Sequence, residues 1–176
     1  MTHAELVARA SRWLTGMGCP IVFAELVTLA SEQPDAIGWR ATGGTSYLIE
    51  CKSSRSDFLA DRKKPHRQAD GMGDFRYFMC TPGLIRVDEL PAGWGLLYCH
   101  PGRIDIAAGR HPKRYGAPGQ ETFHFTPNRV AEMRMLASAL IRLRIDLGPA
   151  DFTRRIHMPY AARVRNAEKS LTTLAS

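Results

Sequence analysis

Between Tyr47 and Lys52 the chain alternates. Tyr47, Ile49 and Cys51 fall on one side of an extended segment, and Leu48, Glu50 and Lys52 on the other. Successive side chains of a strand point to opposite faces. The pattern therefore predicts a strand over Tyr47–Ser53 with Cys51 turned into a core and Glu50 and Lys52 together on the opposite face. A half-buried strand that carries a charged pair belongs in a sheet, and the surrounding sequence supplies its neighbours. Pro20–Leu29 is apolar and β-prone, Ala36–Arg40 reads as a short strand, and Gly43-Gly44 is a hairpin turn leading into the 47–53 strand. Arg76–Cys80, Gly95–Cys99 and Arg103–Ala107 are further short strands, punctuated by Pro82-Gly83 and Pro101-Gly102.

Three helices are expected around them. Thr2 followed by Glu5 is a capping-box pattern, and Leu6, Ala10, Trp13 and Leu14 then form one apolar face over 2–16. Asp57–Lys64 reads as a helix with Ser56 as N-cap, ended by Pro65. Pro127–Leu147 is long, with Pro127 at the first helical position after Thr126 and Val130, Met133, Leu136, Ala137, Leu140, Ile141 and Leu147 as an apolar stripe stopped by Gly148-Pro149. A short helix is also read within 159–170. The order predicts the α/β class: a single domain around a central mixed β-sheet flanked by helices. Residues 1–108 form the expected core, and 109–176 a basic loop, the long helix and a basic tail packed on or extending it.

The chain has 176 residues, which suits one domain. No apolar run approaches the ~18 residues that span a bilayer, and MTHAELVARA lacks the basic and apolar regions of a signal peptide. A cytoplasmic, non-membrane protein is expected. Cys19, Cys51, Cys80 and Cys99 form no CxxC pair and read as reduced, structural residues. A zinc site from Cys99, His100, His111 and His124 is disfavoured, because zinc ligands show tight paired spacings. The net charge of +7 is unevenly placed: residues 1–100 carry 11 basic and 11 acidic side chains, and 101–176 carry 13 and 6. A basic region beside a neutral half suggests a polyanionic partner.

The chemistry centres on Glu50 and Lys52 with Pro34-Asp35 across the hairpin. In a hairpin of this length Asp35 can lie beside Glu50. Two neighbouring carboxylates repel unless a cation sits between them, and a hard divalent ion with oxygen ligands, Mg2+ or Mn2+, resolves that conflict. A nearby lysine can orient or deprotonate an attacking water, or neutralise charge on a phosphate. Those are the parts that phosphodiester hydrolysis needs.

Pro34-Asp35 followed by Glu50-Cys51-Lys52 resembles the PD-(D/E)XK nuclease superfamily. The stretch KSSRSDFLADRKKPHR (52–67), with its DF-x-x-DRK helix, and GMGDFRYFMCTPGLI (71–85) are most similar to the MmcB-like DNA-repair and prophage-type branch. The resemblance covers about residues 5–107. It implies a restriction-endonuclease-like sheet and a Mg2+-dependent nuclease acting on DNA, some relatives of which work as dimers. Asp35 and Glu50 would bind the metal together with the backbone carbonyl of Cys51, and Lys52 would orient or activate the water. Glu25 is the first choice for a fourth catalytic acid, with Glu5 the rival and a capping-box role favoured for it. Ser54, Lys63, Lys64 and Arg67 are placed against the nucleic-acid backbone, although capping of the next helix is the favoured role for at least one of Ser53 and Ser54. Asp57 and Asp61 read as a solvated helix face or as ion-pair partners of Arg62 and Lys63, rather than as metal ligands, and Tyr77, Trp39 and Trp94 as core. The alternatives are a catalytically silent nucleic-acid-binding module, or a phage-type interaction protein, on the same fold.

Overall fold

Six strands form one mixed sheet in chain order: β1 (Ile21–Ala24), β2 (Ala36–Trp39), β3 (Ser46–Lys52), β4 (Phe75–Cys80), β5 (Trp94–Cys99) and β6 (Ile104–Ala108). The computed structural model describes residues 1–27, 32–41, 44–61, 71–110 and 121–157. The chain divides into two compact units, Met1–Met135 and Leu136–Ser176. The sheet lies wholly in the first, and the α/β class with helices flanking a mixed sheet is what the sequence led us to expect. β1, β2 and β3 pair antiparallel, β3, β4 and β5 run parallel, and β6 returns antiparallel to β5.

The alternation at 47–52 sorts the two faces of the sheet. Tyr47, Ile49 and Cys51 of β3 join Phe75, Tyr77 and Met79 of β4 in a core with Leu6, Ala10 and Leu14 of α1 (His3–Gly16). α1 carries the capping box: Thr2 N–H donates to Glu5 Oε2 at 2.7 Å and Glu5 N–H to Thr2 Oγ1 at 3.3 Å. Leu48, Glu50 and Lys52 point to the other face, as do Arg76 and Phe78. There α2 (Arg55–Asp61) sets Phe58 against Phe78, ring centroids 5.2 Å apart. Trp94 stacks on Phe78 from the far side at 4.4 Å. Tyr77, Trp39 and Trp94 are buried, as expected, and all four cysteines are buried free thiols.

Tyr77 depends on two glycines. A Cβ on Gly95 would lie 2.4 Å from its ring and 2.9 Å from the Ala108 carbonyl. One on Gly109 would lie 2.7 Å from the same ring. The ring occupies the space those side chains would need, and its hydroxyl donates to the Arg110 carbonyl at 2.6 Å.

Several element boundaries differ from the sequence reading. The first strand stops at Ala24 rather than running on, because Glu25 takes a left-handed φ of 49°, a conformation that breaks a ladder. Of the Gly43-Gly44 turn only Gly44 lies within the described residues, with φ 63°. α2 starts two residues early, at Arg55, because Ser54 rather than Ser56 caps it: Ser54 Oγ accepts from Asp57 N–H at 3.3 Å. α3 (Arg129–Leu147) starts at Arg129, where Asn128 Oδ1 accepts from Ala131 N–H at 3.0 Å, so neither Thr126 nor Pro127 opens it. Gly148, at φ 79°, ends α3, but Pro149 opens another helix, α4 (Pro149–His157), in the second unit. Proline is well tolerated in a helix's first turn. The helix expected within 159–170 lies outside the described residues.

The inward face of α3 is the largest departure. Val130 and Met133 of the expected apolar stripe are 60% and 70% exposed, whereas Glu132 is buried. Glu132 Oε1 accepts from Ser46 Oγ at 2.7 Å and Gly73 N–H at 2.9 Å, and Oε2 from Trp39 Nε1 at 3.2 Å and Arg129 Nη1 at 2.8 Å. Asp74 takes Ser46 N–H at 2.7 Å and Arg129 Nη2 at 2.7 Å. Apolar residues occur on several sides of α3, so periodicity could not choose its buried face; a polar network did.

Candidate active site

β2 and β3 pair with Ala36 opposite Ile49. One step further, where β2 begins, the antiparallel register brings Asp35 level with Glu50. Asp35 turns onto β3: its Oδ2 accepts from the backbone N–H of Cys51 at 2.7 Å, between Glu50 and Lys52. The site thus lies at the C-terminal end of β3, at the edge where the three parallel strands finish.

Glu50 and Lys52 share the face predicted for them and are only 3% and 4% exposed. Buried charges must be matched. Lys52 Nζ lies 3.5 Å from Glu50 Oε2, 3.3 Å from Asp61 Oδ2 and 3.8 Å from Asp57 Oδ1. Burial is the largest single influence on the ammonium and pulls its pKa down. The carboxylates of Glu50, Asp61, Asp57 and Asp35 together outweigh it and hold the pKa above the ordinary lysine value. Lys52 is a fixed cation. Burial, then Asp35 and Glu50, push the Cys51 thiol far upward, so it stays neutral.

The reading of Asp61 as part of a solvated helix face is corrected, whereas Asp57, with a side chain 47% exposed, does face solvent. Asp61 is 1% exposed, and both carboxylates converge on Lys52. The signal was present in the sequence: Asp61 follows Phe58 by three residues and so shares its helical face. Because Phe58 packs on Phe78, that face looks down on the strand end that carries Lys52. Ser54, placed against nucleic acid by the sequence reading, is engaged as the helix cap. Lys63, Lys64 and Arg67 lie outside the described residues.

Glu25 stands beside Asp35, its N–H donating to the Asp35 carbonyl at 3.1 Å. Its side chain is 59% exposed and reaches His3 Nε2 at 3.3 Å; the same nitrogen is 3.6 Å from Asp35 Oδ1. His3, which sequence reasoning overlooked, therefore bridges the two acids from the first turn of α1. Glu5 is occupied by the capping box, the role favoured for it.

Among the described residues no three His, Cys, Asp or Glu side chains converge as a ready metal cage. The donor chemistry at Asp35 and Glu50 is nonetheless of the kind Mg2+ takes: two carboxylates, with water and substrate phosphate oxygens completing the shell.

The fold is also found in a solved structure, a protein of unknown function from Silicibacter pomeroyi. It is 25% identical, with a TM-score of 0.55, over 85% of this chain and 94% of that one. No protein-family model matches the chain, and no curated protein matches it.

Proposed function

We propose that the protein is a Mg2+-dependent nuclease that hydrolyses DNA phosphodiester bonds. The observation that supports this best is a buried lysine ringed by Glu50, Asp61 and Asp57 at a strand end, beside the Cys51 N–H held by Asp35. Asp35 and Glu50, with the Cys51 carbonyl, would hold Mg2+ or Mn2+, which when bound polarises the phosphate and acidifies water. Lys52, charged across the working pH range, donates rather than accepts: it orients the attacking water and offsets negative charge on the phosphate. A bond forms from water oxygen to phosphorus as that water gives up a proton to solvent, the bond to the departing nucleotide oxygen breaks, and that oxygen takes up a proton from solvent. Asp61 positions Lys52, and Glu25 and His3 flank Asp35.

The test is incubation of purified protein with Mg2+ or Mn2+ and linear, nicked, single-stranded and branched DNA. Cleavage that needs the metal is expected, and Asp35→Ala should lower it by about 10²–10³-fold, the effect of losing one preorganised electrostatic group, with the circular dichroism spectrum retained. Lys52→Ala should lower it by a comparable factor. If wild-type protein leaves all four substrates uncut, the enzyme reading is wrong. DNA binding without cleavage, indifferent to Asp35→Ala, would identify a silent binding module instead.

A further inference from the structure

A second cationic feature lies on the opposite face of the sheet from Lys52. α1 and the β5–β6 turn enclose a cleft of about 370 Å³ lined by Arg9, Arg12, Trp13 and Arg103. Arg9 fixes its wall, donating from Nη1 to the Pro101 carbonyl at 3.0 Å and from Nη2 to the Arg103 carbonyl at 3.4 Å. Arg103 is 69% exposed, and its ion pair with Asp105 runs through Nε at 3.0 Å. Arg12 is exposed and has no hydrogen-bond or ion-pair partner among the described residues. Trp13 is only partly buried and offers the cleft an aromatic surface. Guanidinium groups around an open aromatic-lined cleft suit phosphate oxygens, with the ring available to a sugar or base.

The cleft is placed to share a ligand with the candidate active site. Lys52 pairs with Cys80, and Cys80 with Tyr98, so the β5–β6 turn leaves the sheet at the edge where β3 ends. β5 is two strand spacings from β3, roughly 10 Å. Along α1, Arg9 lies six residues, under two turns, after His3, which approaches Asp35; six residues of helix rise about 9 Å. Both legs are on the order of 10 Å, so the backbone of a single DNA strand can reach from the active-site edge to the cleft.

We propose that the Arg9–Arg12–Arg103 cleft holds backbone phosphates of the DNA strand that enters the active site, a short way along the strand from the scissile bond; the link to cleavage rests on the nuclease reading. The test compares wild type, Arg12→Ala/Arg103→Ala and Asp35→Ala by fluorescence anisotropy with a 5′-fluorescein 20-base-pair duplex in EDTA, from 50 to 200 mM salt, alongside cleavage of the same duplex in Mg2+. Arg9 is left intact because it pins the turn. Loss of two phosphate contacts removes about 1.8 from the slope of log affinity against log salt, so the double variant should lose about twelvefold less affinity than wild type across that range. It should also cleave with a raised KM and a retained kcat, whereas Asp35→Ala should lose cleavage and keep the wild-type slope. If wild type cuts DNA and the double variant keeps its slope and KM, the cleft proposal falls and the nuclease reading stands. If the slope drops as expected but wild type cuts nothing, the cleft stands as a phosphate site and the nuclease reading falls. If wild type does not bind the duplex even at 50 mM salt, both fall.

Discussion

Replacing Glu132 by alanine should destabilise the first unit far more than replacing its apolar neighbour Met133. Glu132 accepts from four donors. Two of them have alternatives, since Ser46 Oγ also meets Asp74 at 3.0 Å and Arg129 Nη2 meets the same carboxylate at 2.7 Å. Trp39 Nε1 and Gly73 N–H would be left buried without an acceptor, at about 1–3 kcal/mol each. The expected loss is therefore roughly 2–6 kcal/mol, a large share of the ~5–15 kcal/mol that a domain has. With a urea dependence near 2 kcal/mol per molar, the unfolding midpoint should fall by about 1–3 M. Fluorescence of the buried Trp39 and Trp94 reads this unit directly. Glu132→Gln keeps the volume but turns N–H donors toward donors, and should give most of the loss. Met133→Ala, at a 70% exposed position, should stay within about 0.5 kcal/mol. If Glu132→Ala left the midpoint unmoved, or Met133→Ala cost as much, the polar inward face of α3 would be wrong.

Gly95→Ala should destabilise by about 1–3 kcal/mol as an overpacked core substitution, since its Cβ would fall 2.4 Å from the Tyr77 ring; an unchanged Tm would contradict the packing. Lys52→Met should cost about 3–5 kcal/mol by leaving buried carboxylates uncompensated. Because the folded Lys52 pKa is raised above 10.5, its contribution is complete below that value and is lost only as pH rises through the higher folded value. The stability gap between wild type and Lys52→Met, measured in urea, should thus stay level from about pH 7 to 10; a gap that narrows within that interval would argue against a raised pKa. The thiols of Cys19 and Cys80 are pushed up to about 11 by burial, and Cys51 and Cys99 are raised for the same reason. A disulfide-exchange reagent at pH 8 should find no fast thiol in native protein and four in urea; one rapidly reacting native thiol would show that a cysteine is more open than described.

What the sequence made legible was local. The Thr2 and Glu5 pair specified its own capping box, and the period-two pattern at 47–52 assigned Glu50 and Lys52 to one face. Asp35 was reachable because a hairpin fixes register over a short distance. The misses turn on tertiary docking and on backbone conformation. Glu132 is buried by Trp39 and Ser46, 93 and 86 residues away, and nothing in the spacing of α3 announces them. Asp61 looked solvent-facing because its counter-ion, Lys52, belongs to a strand, and only the docking of Phe58 on Phe78 brings helix and strand together. β1 ended early for a backbone reason, the left-handed Glu25, which side-chain periodicity does not encode.

The slot that holds Tyr77 bears on how a family of such chains would vary. Gly95 cannot acquire a side chain while Tyr77 is large. Even with a smaller residue at 77, the Ala108 carbonyl would still stand 2.9 Å from the new Cβ. Shrinking Tyr77 first would open a void beneath Trp13, whose ring centroid is 5.7 Å from that of Tyr77. Mutational drift at positions 77, 95 and 109 is therefore blocked in either order. Invariance at those three positions across divergent relatives would be a signature of steric interlock, and should not be counted as a mark of catalysis alongside Asp35, Glu50 and Lys52.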